Sequence, residues 1–177
     1  MSSIDPRYPI GKFAPQENYS AEDVKKNISR ITALPDKLKA AVSGLDNSKL
    51  DTPYREGGWT LRQVVHHLPD SHLNAYIRTK WTLTESNPLI KAYDEKAWAT
   101  TPETTGPPEL SLNLLSSLHT KWVAILSSLS PEQLQKVFTH PDTQKQVPLD
   151  RMIATYAWHG EHHLAHITSL KSKMGWS

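Results

Sequence analysis

Four of the chain's nine histidines fall within eight residues, in the stretch Tyr156-Ala157-Trp158-His159-Gly160-Glu161-His162-His163-Leu164-Ala165-His166. In a helix, His159 and His163 stand at i and i+4, one above the other on the same face. Two neutral imidazoles so placed can close on one divalent ion, which takes nitrogen ligands at about 2.0–2.1 Å. A pair is not yet a site. His66, His67 and His72, about ninety residues earlier, are where a third ligand is to be sought.

Other chemistries are excluded residue by residue. A zincin's His-Glu-x-x-His needs glutamate at 160, which is glycine, and the inverted His-x-x-Glu-His needs it at 162, which is histidine. Glu161 projects away from both histidines and is a poor general base. No Gly-x-Ser-x-Gly elbow, no glycine-rich phosphate loop and no βα alternation is present. The chain has no cysteine, so disulfides, a thiolate nucleophile and Cys-bearing zinc sites are excluded and any metal rests on histidine and carboxylate. The net charge is only +2, without a basic stripe, which argues against nucleic acid as the main partner. No stretch approaches the roughly 20 apolar residues of a membrane span and the N-terminus lacks a signal-like apolar segment, so a cytoplasmic protein without a membrane partner is expected.

The elements that must position the histidines are helices. The 177 residues suit a single domain. Residues 1–19, with Pro6, Pro9, Gly11 and Pro15, read as an extended N-terminal arm. Ser20 caps a first helix that runs to Gly44, with Pro35 predicting a kink or two abutting helices. Thr60 caps a second, whose apolar stripe holds Leu61, Val64, Val65, Leu68, His72, Ala75 and Tyr76. His67 lies on the edge of that stripe, in line with Ser71, Asn74 and Arg78, and His66 lies further round. Pro69 should bend this helix.

Residues 85–108 carry four prolines and no periodicity and read as a long loop, placed with Trp98 at the site or at a dimer surface. A third helix follows on Leu110, Leu114, Leu118, Trp122, Ile125 and Leu129, with His119 and His140 expected at the surface. A short helix starts at Ser130-Pro131, and 136–148 suit a small hairpin around Pro141-Asp142. The last helix spans about Leu149 to Met174. Its apolar stripe includes His163, with His159 and His166 on one edge and His162 facing out. The sum is an all-α four-helix bundle, whose interior is a common place for metal sites.

A lone histidine on an apolar face is more often a hydrogen-bonded core residue than a ligand, and this is the expectation for His72. The wheel leaves the third ligand open: it favours His72 as the most buried and puts His67 on the flank.

Four segments share a further property. Tyr8-Pro9-Ile10-Gly11-Lys12-Phe13, Tyr54-Arg55-Glu56-Gly57-Gly58-Trp59-Thr60 leading into Val64-Val65-His66-His67-Leu68, Tyr93-Asp94-Glu95-Lys96-Ala97-Trp98 and Tyr156-Ala157-Trp158-His159-Gly160-Glu161-His162-His163 occur in this order. Together they resemble the YfiT-like proteins of the DinB superfamily. The resemblance implies a four-helix bundle, a homodimer and one divalent metal per chain, zinc or nickel. It implies as ligands the histidine directly before leucine in the Gly-Trp-Thr helix, here His67, and the two ends of the His-x-x-x-His pair, His159 and His163. On this reading His66 and His162 are not ligands.

The function so implied is a metal-dependent hydrolase acting on a small molecule, with metal-bound water as the reacting group and no other catalytic residue assigned. The alternatives are S-transfer of a low-molecular-weight thiol such as bacillithiol, and a non-enzymatic metal-binding module. Ligand imidazoles normally donate their second N–H to an acceptor. Ser71, Asn74 and Glu161 are the nearest candidates, none of them assigned. Because the ligands must be neutral, metal affinity is expected to fall as pH drops through about 6.5.

Overall fold

The computed structural model describes residues 5–176. Four long helices form its body: α1 (Ala21–Val42), α3 (Leu61–Thr84), α5 (Pro108–Leu126) and α7 (Leu149–Met174). Short helices α2 (Asn47–Leu50), α4 (Glu95–Trp98) and α6 (Pro131–Leu134) and a 3₁₀ turn at Pro102–Thr105 sit in the connections. Around the bundle, α1 packs on α7 and α5, and α3 packs on α5 and α7. This is the expected all-α four-helix bundle. The small hairpin also forms, as β1 (Val137–Thr139) antiparallel to β2 (Gln146–Pro148), with Phe138 opposite Val147.

The helix starts follow local chemistry. Ser20 with Asp23, and Thr60 with Gln63, form reciprocal capping boxes. Gln63 also donates through Nε2 to the Ala99 carbonyl at 2.8 Å, tying the long connection to the start of α3. That connection is further held by the hairpin: Thr139 donates to the Pro88 carbonyl, and Ile90 donates to that of Thr139.

Three expectations change. α1 is one helix through Pro35, not two abutting ones. The buried stripe of α5 is turned by one residue from the leucine pattern, so that Ser111, Leu115, Leu118, His119, Trp122 and Leu126 are buried. Leu110 and Leu114 instead lie 61% and 45% exposed, and His119 is core rather than surface. His162, which faces away from the bundle, is buried because the N-terminal arm crosses α7 there. Tyr8 packs on His162 at 6.0 Å between ring centroids, and Phe13 on Trp158 at 5.9 Å.

Candidate metal centre

Two local structures deliver the three histidines. Before α3 the chain makes a tight turn at Arg55–Gly58; Gly57 has φ +63°, and a Cβ on Gly58 would stand 2.7 Å from Arg55 Cγ. The turn delivers Trp59 beside the capped start of α3, and His67 follows two turns into the helix. On α7, His159 and His163 flank Gly160, where any Cβ would run into the Leu34 side chain of α1. A side chain at 160 would force Leu34 of α1 aside, so the approach of α1 favours glycine where a zincin carries glutamate.

One nitrogen each from His67, His159 and His163 lies within 4.8 Å of the others. The Nε2 atoms of His67 and His159 face each other at 3.2 Å. Two ligands at about 2.05 Å from one tetrahedral ion would stand about 3.3 Å apart. His163 closes the triangle, its ring 4.7 Å from His67 and 4.6 Å from His159. Its Nδ1 is buried and has no hydrogen-bond partner. Trp59 covers the group, 4.7 Å from His67 and nearly parallel to His163 at 6.2 Å. Three converging imidazoles and an orphaned buried nitrogen fit a divalent cation.

A chain of hydrogen bonds behind His159 crosses the whole bundle. His159 Nδ1 meets His72 Nε2 at 3.2 Å, His72 Nδ1 meets His119 Nε2 at 2.9 Å, and His119 Nδ1 meets the Ile31 carbonyl at 2.7 Å. The carbonyl can only accept, so His119 carries its proton on Nδ1. With every ring neutral, His119 Nε2 then accepts from His72, and His72 Nε2 accepts from His159. The lone pair of His159 is thereby fixed on Nε2, facing His67. The carbonyl at the far end is available because residue 35 is proline, which has no N–H to donate to Ile31 in the helical ladder. The chain thus runs from α7 through α3 and α5 to α1.

Burial keeps these rings neutral. It pushes His67 and His119 down to about 4, and His159, His163 and His72 well below the usual histidine range. Neighbouring imidazoles add to the effect on the last three. The expected fall in metal affinity near pH 6.5 therefore moves to lower pH.

A family model described as the DinB superfamily matches residues 30–167. YfiT of Bacillus subtilis is 49% identical over the full length of both chains. A protein of Bacillus cereus is 51% identical over 97% of this chain and 99% of its own. The chain belongs to the DinB superfamily. Both relatives are named, provisionally, as metal-dependent hydrolases. The solved structure of Bacillus subtilis YfiT superposes with a TM-score of 0.95 over 97% of this chain and 99% of its own. It is described as an unusual four-helix bundle and, provisionally, as a metal-dependent hydrolase. A mycothiol-dependent maleylpyruvate isomerase shares the fold at 15% identity, with a TM-score of 0.60 over 78% of this chain and 60% of its own.

The other predicted positions of this DinB-superfamily chain sort cleanly. His66 turns away: Nδ1 meets Ser111 Oγ at 2.7 Å, and Nε2 meets the Gly106 carbonyl. His72, the buried rival for third ligand, is instead the support of His159. Glu161 pairs with Arg30, and the Asn74 amide donates to the Asp70 carbonyl. Sequence reasoning missed His119, whose signal was its i−3 spacing from Trp122, a residue it did place in the core.

Beside His159 a cavity of about 470 Å³ runs between α3, α7 and the hairpin. Tyr93 and Glu95 of the long connection line it, whereas Trp98 packs on Tyr93 with the rings tilted by 55° and is 40% exposed. Burial raises the Tyr156 phenol and pushes that of Tyr93 up to about 12, so both keep their protons near neutral pH and can donate as well as accept. Among the described residues no helix is long and apolar enough to cross a membrane.

Proposed function

We propose that this chain is a metal-dependent hydrolase in which His67, His159 and His163 hold one zinc or nickel ion. The observation that carries the reading is the convergence of three neutral imidazoles, two buried and one half-buried, on one point beside a ligand-sized cavity. Three protein nitrogens leave a coordination position open, the arrangement of catalytic rather than structural sites. A divalent ion held there would lower the pKa of coordinated water to about 7 and would polarise a carbonyl or phosphoryl oxygen. The chain's own residues supply the rest. His72 and His119 hold the ligand tautomer, Trp59 excludes water from the outer side, and Tyr156 offers a hydroxyl at the cavity wall.

Thiol transfer would use the same centre, with an external thiol in the open position, and the absence of cysteine leaves no chain thiol to compete. One experiment separates the readings. Metal-loaded protein, chelated protein and the His163→Ala variant are assayed on ester, amide and phosphoester substrates, with and without a low-molecular-weight thiol. Hydrolysis that requires metal and His163 but no thiol supports the proposal. Turnover only with thiol present overturns it in favour of transfer, and no metal-dependent turnover on any substrate leaves a binding module.

A further inference from the structure

The two helices that meet at the three imidazoles continue side by side away from them. They run in opposite directions: His67 meets His159, and eleven residues on Arg78 meets Tyr156. On α7, Arg151, Thr155, His159 and His163 recur every four residues on one face; on α3, Ser71 and Arg78 extend the row begun by His67. Ser71, Arg78, Arg151 and His159 all line the 470 Å³ cavity. Arg151 and His159, eight residues apart, are separated by about 12 Å along the axis.

Arg78 is the unexplained residue. It is only 8% exposed. Nη1 donates to the Tyr156 hydroxyl at 3.2 Å and Nη2 to the Lys91 carbonyl at 3.0 Å, while Nε is buried without a partner. Both acceptors are neutral. Among the described residues the three ion pairs within 4 Å are Arg7–Asp5, Arg30–Glu161 and Arg62–Asp51, so neither Arg78 nor Arg151 has a carboxylate. Glu95 and Asp142 also line the cavity, but both are exposed. A guanidinium cannot shed its proton, and burying its charge unpaired is costly. Phe13, Phe138 and Met152 give the wall an apolar part, beside polar Ser71, Tyr93, His140 and Thr155.

We propose that the cavity is an anion-anchoring subsite. Arg78, assisted by Arg151, takes the carboxylate or phosphate of a small acid whose apolar body lies against Phe13, Phe138 and Met152 and whose far end reaches His159. That the far end is the reacting end rests on the hydrolase reading; the anion subsite does not.

The test is calorimetric titration of the full chain, as purified and after chelation, with benzoate, phenyl phosphate and the neutral isostere benzamide. The chelated protein should bind at least one of the two acids about tenfold more tightly than benzamide. The tighter acid shows whether a planar or a tetrahedral oxyanion is preferred. Arg78→Lys, which keeps the charge but loses the fork, and Arg151→Gln, at a half-buried position, should each weaken the acid severalfold and leave benzamide unchanged. Equal binding of acid and amide, or acid binding unaffected by both substitutions, overturns the proposal. Acid preference without metal uptake sinks the hydrolase reading alone, and metal uptake without acid preference sinks the subsite alone.

Discussion

Six of the histidines divide into two populations by what their ring nitrogens meet. His66, His72 and His119 have both ring nitrogens hydrogen-bonded, to Ser111, Gly106, one another, His159 and Ile31. His67, His159 and His163 have nitrogens turned towards each other, and His163 Nδ1 has no partner. The difference is one of spent and unspent lone pairs. A ligand needs a nitrogen that nothing else in the protein claims, and two of the spent histidines, His72 and His119, leave such a nitrogen on His159. Depth alone would have chosen His72, which is 0% exposed.

The comparison can be broken most sharply at the ligands. His67→Ala, His159→Ala and His163→Ala should each abolish stoichiometric metal binding in competition with a chelator. Full occupancy in His67→Ala would move the third ligand to the spent population. His72→Ala and His119→Ala should weaken metal by about 10–100-fold without abolishing it, as loss of an outer-shell partner does. His119→Ala should also destabilise the fold by about 1–3 kcal/mol in urea titration, because it strands the buried Ile31 carbonyl and His72 Nδ1.

Pro35→Ala is a finer probe. It restores an N–H that competes for the Ile31 carbonyl, so metal affinity should fall by up to about tenfold while helix propensity rises. Unchanged affinity would show that His119 keeps the carbonyl without the proline's help. At the small end, His66→Ala should leave metal affinity within about twofold of wild type, since neither of its nitrogens faces the centre.

The two populations share one pH response. Their folded-state values lie below the unfolded value of about 6.5, with His67 and His119 at about 4. The unfolded chain therefore binds more protons between these limits. Stability of the metal-free protein should be complete above about pH 6.5 and decline as pH falls towards 4. Urea midpoints measured across that range should drop steadily, and a flat profile would mean that the rings are solvated.

Much of this was legible in the sequence, and what was not has identifiable causes. Helical spacing exposed the His159/His163 pair because a 3.6-residue period is local. The bounds of α7 were legible for the same reason. The choice between His67 and His72 was not legible in the helical spacing and came only from the family resemblance, because it depends on where α5 and α1 place His119 and Ile31, contacts 47 and 88 residues apart. His162 was read as facing out, correctly for the helix, but the arm that covers it comes from the other end of the chain. The stripe of α5 was misread because Leu110 and Leu114 share the helical spacing of the buried set. Pro35 signalled a break, whereas its effect is to free one carbonyl.

The most direct test of the account is metal content per chain, by elemental analysis of untagged protein after extensive dialysis and reloading. The three unspent imidazoles predict about one zinc or nickel per chain, lost in His159→Ala and retained in His66→Ala. No retained metal after reloading, or equal retention in both variants, would contradict the claim that these three histidines form a metal centre.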